Sequence, residues 1–419
     1  MLEGWQRKTV DELCEQVSVG IVIQPAQYYV TNGQGVRAFR SANVGENRVV
    51  DSGWVYLSRE GHEANSKSEL RAGDVLVVRS GAPGTACVVT PEFAGCNCID
   101  IVFARPDQSQ VLPHFLAEYT NSPEGRRHVL GNQGGLALKH FNVGAYKQLE
   151  ILLPPLSEQH KITEVLRTWD EAIETCERLI KRLKARQVAL VHQLVFGQRR
   201  LGNYASTRDT QTGRWFSLPA EWSVLPIGAI AAERSEINRN GNTAEVLSCS
   251  KYDGFVRSLE YFKKQVFSSD LSGYKVIKRG DFGFPSNHVE EGSIGLQTLV
   301  DDGLVSPIYT VFRFDESKVD NDYAYSVLKT ELYRHIFQVS TSASVDRRGS
   351  LRWSDFSALP FPLPSLDEQR AIQAVLATGQ AQIDGQVAER ESLRAQKRGL
   401  MQKLLTGEWR VRLDKEAAA

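Results

Sequence analysis

Two short stretches decide the fold of this chain: residues 154–159 have the sequence PPLSEQ, and residues 364–369 have the sequence PSLDEQ. The stretches lie 210 residues apart, and the correspondence continues without a gap across 154–197 and 364–407, where 14 of 44 positions are identical. Ordinary residue frequencies would give about two or three identities. The chain therefore contains an internal repeat, in which a variable domain twice precedes a repeated segment.

Each repeated segment is predicted to be one long helix. Ser157 and Asp367 are predicted N-caps, because their side chains can accept hydrogen bonds from free backbone N–H groups. A glutamate follows each of them in the first turn, where the helix dipole favours negative charge. Gly197 and Gly407 are the predicted C′ residues. Such a helix is about 60 Å long, and its apolar stripe needs a partner, for which the other copy is the nearest candidate.

An apolar heptad pattern predicts that the two helices form a coiled coil. Acidic side chains come early and basic ones late in the first helix, and the second helix also ends basic. Antiparallel packing sets acid against base, so we expect an antiparallel pair. Ordinary core helices of a larger domain are the alternative. The predicted contact positions are Ile162, Leu166, Trp169, Ile173, Ile180, Leu183, Leu190, Leu194, Ile372, Leu376, Ile383, Leu393, Leu400 and Leu404.

The two variable domains are predicted to be of α+β type. Short runs such as VLVV at 75–78 and VFRF at 311–314 are bounded by Gly, Asn, Ser and Asp, which is typical of strands and loops. A helical stretch follows late in each domain. The expected organisation is a first domain at 1–153, a helix at 154–200, a second domain at 201–363, and a helix at 364–412 with a tail to 419.

Composition and charge limit the class of protein. The 419 residues carry 50 basic and 50 acidic side chains, whereas a nucleic-acid-binding protein usually has a basic excess. A neutral chain can still present a basic face if its acids lie elsewhere. The absence of a run of about 18 apolar residues argues against a membrane span, and the N-terminus has no apolar signal region, so a cytoplasmic protein is expected. Six scattered cysteines predict reduced thiols rather than a metal site.

Three further stretches, together with the duplicated motif, carry a resemblance to a known family. They are FRSANVG at 39–45, LRAGDVLVVRSGAPGT at 70–85 and LRWSDFSALPFPLPS at 351–365. Over nearly its whole length the chain resembles the DNA-specificity subunit of type I restriction–modification systems. The stretch LRAGD at 70–74 also has an echo in IKRGD at 277–281, within the second domain.

The resemblance implies a fold and a role. The expected fold class is α+β, with two α/β target-recognition domains separated by two long antiparallel coiled-coil helices in a pseudo-twofold repeat. Each domain would read one half of a bipartite, asymmetric site in double-stranded DNA. The helices would set the spacing and bind two methyltransferase subunits, and two motor-nuclease subunits would complete the restriction complex. S-adenosylmethionine, ATP and magnesium would belong to those partners, because family members carry out no chemistry themselves.

Three residues depart from the apolar pattern of the second helix: Gly379, Arg390 and Lys397. Polar or small residues at inward-looking heptad positions weaken a helix pair. On the basis of the resemblance, we expect these residues to face a methyltransferase subunit instead.

The candidate DNA contacts lie in polar, glycine-rich loops of both domains. Arginine and lysine bind guanine or phosphate, asparagine binds adenine, and serine and backbone N–H groups bind phosphate. Suitable loops occur at 79–85 and 131–141 in the first domain, and at 284–296 and 341–354 in the second. The candidates are Arg79, Ser80, Gly81, Lys139, His140, Asn287, His288, Arg347, Arg348 and Arg352.

Motifs for catalysis are missing from the sequence. It contains no N/D/S-P-P-Y/F methylation motif, no phosphate-binding P-loop, no H-E-x-x-H and no G-x-S-x-G. We therefore expect a subunit without catalytic activity, without a metal and without a cofactor of its own. Two alternatives stay open. A self-sufficient DNA-modifying enzyme would transfer methyl groups alone, and a coiled-coil scaffold without a DNA-reading role would show no salt-dependent DNA binding.

Overall fold

The computed structural model describes residues 3–31, 33–131, 133–134, 140–204, 209–239, 244–341 and 350–413, with only the backbone at 133–134 and 140. The chain divides into two compact units. Unit 1 comprises Met1–Arg178 and Val387–Ala419, and unit 2 comprises Leu179–Gln386. None of the helices in the described ranges is long and apolar enough to cross a membrane.

Unit 1 contains fourteen of the described strands and the start of the first long helix. The strands are β1 (Gln6–Thr9), β2 (Cys14–Val19), β3 (Tyr29–Val30), β4 (Val36–Phe39), β5 (Val44–Gly45), β6 (Arg48–Val49), β7 (Val55–Leu57), β8 (Val75–Val78), β9 (Ala86–Val88), β10 (Asn97–Cys98), β11 (Ile101–Pro106), β12 (Gln133–Gly134), β13 (His140–Phe141) and β14 (Glu150–Leu153). The helices are α1 (Val10–Leu13), α2 (Arg59–Ala64), α3 (Pro113–Asn121), α4 (Pro123–Gly131), α5 (Val143–Lys147) and α6 (Leu156–Val195).

Unit 2 contains twelve of the described strands and the start of the second long helix. The strands are β15 (Thr210–Thr212), β16 (Ser217–Pro219), β17 (Ser223–Pro226), β18 (Ala231–Arg234), β19 (Glu245–Ser250), β20 (Gly254–Arg257), β21 (Lys275–Lys278), β22 (Phe282–Pro285), β23 (Gly295–Leu296), β24 (Asp302–Val305), β25 (Tyr309–Phe314) and β26 (Pro360–Leu363). The helices are α7 (Ser258–Phe262), α8 (Asn321–Leu328), α9 (Glu331–Ser340), α10 (Trp353–Phe356) and α11 (Leu366–Leu405).

The two units share the topology of their antiparallel sheet, whereas the parallel pair of their second sheet is at the edge in unit 1 and at the centre in unit 2. An antiparallel sheet has the order β2-β11-β8-β9 in unit 1 and β18-β25-β22-β23 in unit 2. A second four-stranded sheet is mixed in both units, with the order β10-β4-β7-β3 or β20-β19-β24-β21. In each unit a two-stranded ribbon joins an early strand to the strand before the long helix, as β1 with β14 and β17 with β26. Mixed sheets with helices agree with the expected α+β class.

In each unit a buried aspartate stabilises the Gly-Asp turn that precedes β8 or β22, the second of the two central strands in the antiparallel sheet. Asp74 is buried, accepts a hydrogen bond from the backbone N–H of Arg71 at 2.8 Å, and pairs with both Nε and Nη2 of Arg105 at 2.9 Å. In unit 2 the matching contacts join Asp281 to Lys278 and to Arg313 at 2.7 Å. The glycine before each aspartate has a positive φ, +90° and +87°, which favours glycine in this turn. The repeated turn is therefore structural.

The glutamine of the repeated motif bonds the long helix to the segment that precedes α3 or α8 in the same unit. Gln159 accepts a hydrogen bond from the backbone N–H of Leu112 at 2.8 Å and donates to the carbonyls of Gln110 and Pro154 at 2.9 Å. Gln369 repeats all three bonds, accepting from Asp320 and donating to Lys318 and Pro364. Both side chains are fully buried. An amide at this position uses its donor and acceptor together, which a carboxylate cannot do.

The glutamate of the motif is buried in a charged network in each unit. In unit 1, Glu158 accepts from Nε1 of Trp5 at 3.3 Å and from Nε of Arg410 at 2.9 Å. In unit 2, Glu368 accepts from Nε1 of Trp222 at 3.1 Å and from Nε of Arg200 at 2.7 Å. The guanidinium of each arginine also lies 5.7 Å from the centre of its tryptophan ring. Each arginine follows the end of the opposite long helix, so this network joins three distant segments of sequence.

The ends of the long helices agree only partly with the prediction. Gly197 and Gly407 have φ values of +63° and +72°, which confirms them as the C′ residues. The predicted N-caps are wrong, because both helices begin one residue before Ser157 and Asp367, which lie in the first turn. Ser365 caps α11 instead, with its Oγ accepting from the backbone N–H of Glu368 at 3.3 Å.

Within unit 1, the first part of α6 packs against the last part of α11. Asp170 contacts Nζ of Lys397 at 2.7 Å, and Glu177 contacts Arg394 at 2.7 Å. Later residues of α6 thus meet earlier residues of α11, so the two segments run in opposite directions. Each long helix is therefore divided between the two units. The sequence predicted instead that each helix is a separate segment that follows its domain.

Two of the interrupting residues face the opposite helix. Lys397 is 3% exposed and contacts Glu118 at 3.2 Å in addition to its 2.7 Å contact with Asp170. Within unit 2, Nε2 of Gln187 donates to the carbonyl of Leu376 at 2.8 Å. A Cβ at Gly379 would lie 2.1 Å from Oε1 of Gln187, so a larger residue there would displace the Gln187 amide from its present position. The expectation that Gly379 and Lys397 face a partner subunit is therefore wrong.

We expect Arg200→Met to lower the free energy of unfolding of the chain by about 3 kcal/mol, because it leaves the buried Glu368 carboxylate without its cation. Arg199 is exposed and next in sequence, so Arg199→Met is the matched control, expected within about 0.5 kcal/mol of the parent. Chemical unfolding followed by circular dichroism measures both. Equal stability of the two variants would contradict a structural role for the pair.

We expect Glu118→Gln to remove a pH-dependent loss of stability. Burial raises the pKa of Glu118 from 4.5 to about 8, so folding binds a proton between these values and stability falls as pH rises through them. The free energy of unfolding of the variant should therefore exceed that of the parent increasingly from pH 5 to pH 8. Asp170→Asn is the contrasting variant and should destabilise the chain, because Asp170 pairs with the buried Lys397. Parallel pH profiles for the parent and Glu118→Gln would refute the assignment.

Candidate nucleic-acid interface

The structure brings the two predicted loops of unit 1 together. The loop after β8 begins at Arg79, whose backbone carbonyl accepts from the N–H of Phe141 at 3.2 Å, while Nε of Arg79 donates to the Phe141 carbonyl at 3.0 Å. The 79–85 loop therefore lies beside the end of the 131–141 loop. Of the candidates in that second loop, Lys139 lies outside the described residues and His140 is described only by its backbone.

The guanidinium of Arg79 is already occupied. Its Nη1 contacts Oδ1 of Asp100 at 2.5 Å, and only 17% of the side chain is exposed. Asp100 has a φ of +50°, an uncommon backbone conformation for a residue other than glycine. A guanidinium with two internal partners has fewer donors left for a base edge. The geometry thus gives Arg79 a part in holding the two loops together, and sequence reasoning missed Asp100.

A second arginine, also missed from the sequence, supports the same loop from α4. Nη1 of Arg126 donates to the carbonyl of Pro83 at 3.1 Å and to Oγ1 of Thr85 at 3.0 Å. Burial lowers the pKa of Arg126, and the neighbouring Glu46 opposes that effect. The supported tip presents Ser80, half-buried, and Gly81, exposed with a φ of +83°. Both residues are placed to offer backbone N–H groups and a hydroxyl to a ligand.

Unit 2 repeats this arrangement with different side chains. The loop after β22 begins at Ser286, whose carbonyl accepts from the N–H of Leu351 at 2.8 Å. The neighbours of these two residues are three of the candidates: Asn287 is half-buried, and His288 and Arg352 are exposed. The structure therefore brings Asn287 and His288 near Arg352, whereas Arg347 and Arg348 lie outside the described residues.

Three side chains near this loop are of the types that bind metal cations. His288, Glu290 and Glu291 each bring a potential ligand atom within 4.8 Å of the others, and Nδ1 of His288 already lies 3.2 Å from Glu291. His288 and Glu291 are about half exposed. Exposed acidic groups of this kind are common in the absence of a metal ion, so the cluster does not define a metal centre.

Comparison with known proteins identifies relatives of one kind. Residues 3–185 match the family model of the type I restriction modification DNA specificity domain. The chain is 24% identical over 293 residues to the MjaVIII specificity subunit of a type I restriction enzyme from Methanocaldococcus jannaschii, over 66% of each chain. It is 20% identical over 431 residues to the putative MjaX specificity subunit from the same organism, over 98% of this chain and 95% of the relative.

A solved structure shows the same fold. It is a chain from a study of complex assembly and conformational transition in a type I restriction–modification system, with 16% identity and a TM-score of 0.55. The alignment covers 97% of this chain and 99% of that one. At this level of identity the likeness concerns the fold, and it extends over both long helices as well as both sets of sheets.

We expect Asp100→Ala to weaken DNA binding as much as Arg79→Ala, because the Asp100 carboxylate holds the guanidinium that joins the two loops. The double variant should be no weaker than either single variant, since both remove one contact. Fluorescence anisotropy with a DNA duplex measures the binding. If Arg79→Ala alone weakens binding, Arg79 contacts the DNA directly and its pairing with Asp100 is incidental.

Proposed function

We propose that the chain is a DNA-specificity subunit of a type I restriction–modification system, like the relatives it resembles, and that each of its units reads one half of a bipartite, asymmetric DNA site. The observation that carries the proposal is the paired loop at the end of the central strand in each unit, where Arg79 bonds Phe141 and Ser286 bonds Leu351. The role is non-catalytic, because the relatives of the chain are specificity subunits.

The asymmetry of the proposed site rests on the chemistry of the two loops. The backbone contact is the same in both units, but the loop of unit 1 presents Ser80 and Gly81, whereas the loop of unit 2 presents Asn287 and His288. Asparagine and histidine side chains offer donors and acceptors that suit purine edges, while serine and backbone N–H groups suit phosphate. Two loops with different donors and acceptors favour two unrelated half-sites.

The long helices are proposed to form an antiparallel coiled coil that sets the spacing of the half-sites. A helix of this length extends about 60 Å, whereas two major-groove readers on one face of DNA lie about 34–36 Å apart. Two overlapping antiparallel helices can provide such a separation. The antiparallel contacts seen separately in each unit, such as Lys397 with Asp170 and Gln187 with Leu376, support this proposal.

The chemistry is proposed to belong to partner subunits. Two methyltransferase subunits would bind to the helices and bring S-adenosylmethionine, and two motor-nuclease subunits would bring ATP and magnesium. With 50 basic and 50 acidic side chains, the chain has no net charge to attract DNA, which favours phosphate contacts from such partners. A role on DNA in turn favours a cytoplasmic location.

Genome-wide methylation mapping tests the proposal directly. The chain is expressed with its neighbouring methyltransferase subunit in a host that has no DNA methylation of its own, and the expected result is one motif of two short half-sites around a fixed gap. Replacement of residues 201–363 by the same segment of another specificity subunit should change one half-site and keep the gap, because both long helices are retained. A soluble complex that methylates nothing would refute the proposal and favour a scaffold without a DNA-reading role.

A further inference from the structure

A tight turn in unit 2 presents an aromatic side chain to solvent. The turn joins β19 to β20, and its Tyr252 is 80% exposed. Its backbone is held from within: Oγ of Ser250 accepts from the N–H groups of Tyr252 and Asp253 at 3.3 Å and donates to the Asp253 carboxylate at 3.0 Å. An exposed tyrosine on a backbone with this many internal bonds is a preorganised contact, because little further ordering is needed on binding.

A half-buried lysine links this turn to the candidate DNA-reading loop. Nζ of Lys329, at the end of α8, donates to the carbonyl of Lys251 at 2.8 Å and to the carbonyl of Gly292 at 2.9 Å. Gly292 ends the short helical turn that begins just after His288, and its N–H bonds the carbonyl of Val289. A single ammonium therefore holds Tyr252's turn and the His288 loop within reach of each other.

The neighbours of Tyr252 include aromatic and basic side chains, along with the carboxylates of Asp253 and Glu260. Tyr261 and Phe262 of α7 are 48% and 42% exposed and meet edge to face at 5.0 Å, and the hydroxyl of Tyr261 lies 3.4 Å from Oγ of Ser250. Lys263 and Lys264 follow, both exposed. Aromatic rings can contact thymine methyl groups or base faces, and lysines bind phosphates. This combination favours a nucleic acid over an acidic or purely apolar partner.

We propose that Tyr252 is a specificity-determining residue of unit 2, contacting double-stranded DNA at the half-site read by the Asn287–His288 loop, with Lys263 and Lys264 on flanking phosphates. The inference rests on the proposed function and deepens it. Lys329 acts through the other residues, as a positioning residue that keeps the turn beside the loop. Of these residues, Asn287 and His288 were candidates from the sequence, whereas Tyr252, Lys263, Lys264 and Lys329 were not.

The test uses the chain in complex with its methyltransferase subunit. Methylation mapping of the parent first defines the bipartite motif, and anisotropy then compares a duplex containing that motif with a scrambled duplex. Tyr252→Ala should bind the motif about tenfold more weakly, relax one base pair of one half-site, and leave the other half-site unchanged. Tyr252→Phe separates the ring from the hydroxyl: recovery of the parent motif assigns the contact to the ring.

Matched variants separate this contact from general effects. Lys264→Ala should weaken binding to both duplexes alike and reduce the salt dependence by about one phosphate contact. Tyr29 in unit 1 is also an exposed tyrosine, at 40%, so Tyr29→Ala should leave the half-site of unit 2 unchanged. Lys329→Met should add nothing to Tyr252→Ala in the double variant, since both remove one contact.

The outcomes are distinct. A parent motif that Tyr252→Ala leaves unchanged, with binding within twofold of the parent, overturns this inference and leaves the proposed function standing. Intact DNA binding with loss of the methyltransferase subunit from the complex also overturns it, because the surface would then serve a protein partner. A parent complex that neither binds nor methylates DNA refutes the proposed function itself, and this inference with it.

Discussion

The buried carboxylates of Glu158 and Glu368 are the interaction on which each unit depends. A carboxylate removed from water is costly unless it is paired and hydrogen-bonded. Here each one meets a tryptophan from the entry of a recognition domain and an arginine from beyond the end of a long helix. Each carboxylate therefore brings three segments together: the start of one long helix, the chain just beyond the end of the other, and the tryptophan segment at the beginning of a domain.

The rest of the framework extends from that point by contacts that are the same in both units. The glutamine next to each glutamate fixes the loop that leads into α3 or α8. The aspartate ahead of each central strand holds an arginine on the neighbouring strand, as Asp74 holds Arg105. The loops that we propose to read DNA begin where those central strands end. The repeated residues are thus the structural ones, and the residues at the loop tips differ between the units.

The two units nevertheless pack their long helices with different chemistry. Gln187 and Lys397 occupy equivalent positions in the repeat. In unit 2 the amide of Gln187 bonds a backbone carbonyl beside Gly379, whereas in unit 1 the ammonium of Lys397 is buried against Asp170 and Glu118. If Lys397 and Gln187 exchanged places, the lysine would lose its carboxylate partners and would have to fit into the space beside Gly379. Buried polar groups of this kind can specify which helix segments pair, beyond what apolar contacts select.

The sequence by itself determined the features that repeat or that depend on neighbours in the chain. These are the internal duplication, the two long helices and their C′ glycines, the Gly-Asp turns, and the resemblance to known specificity subunits. Periodicity and turn chemistry report local geometry, and the motifs of a repeat report shared ancestry of its copies. The N-caps were misassigned because Ser157 and Asp367 are good caps in isolation, while the helices begin one residue before them.

Only the tertiary structure decided which of the polar residues face inward and which remain for a ligand. Nothing in the sequence distinguishes Lys397 and Arg79 from exposed basic residues. In the structure, however, Lys397 is buried against α3 and α6, and Arg79 is paired with Asp100. Lys329, far along the chain, bonds both to the turn of Tyr252 and to the His288 loop. Such pairings join residues separated by tens to hundreds of positions, and no local pattern in the sequence encodes them.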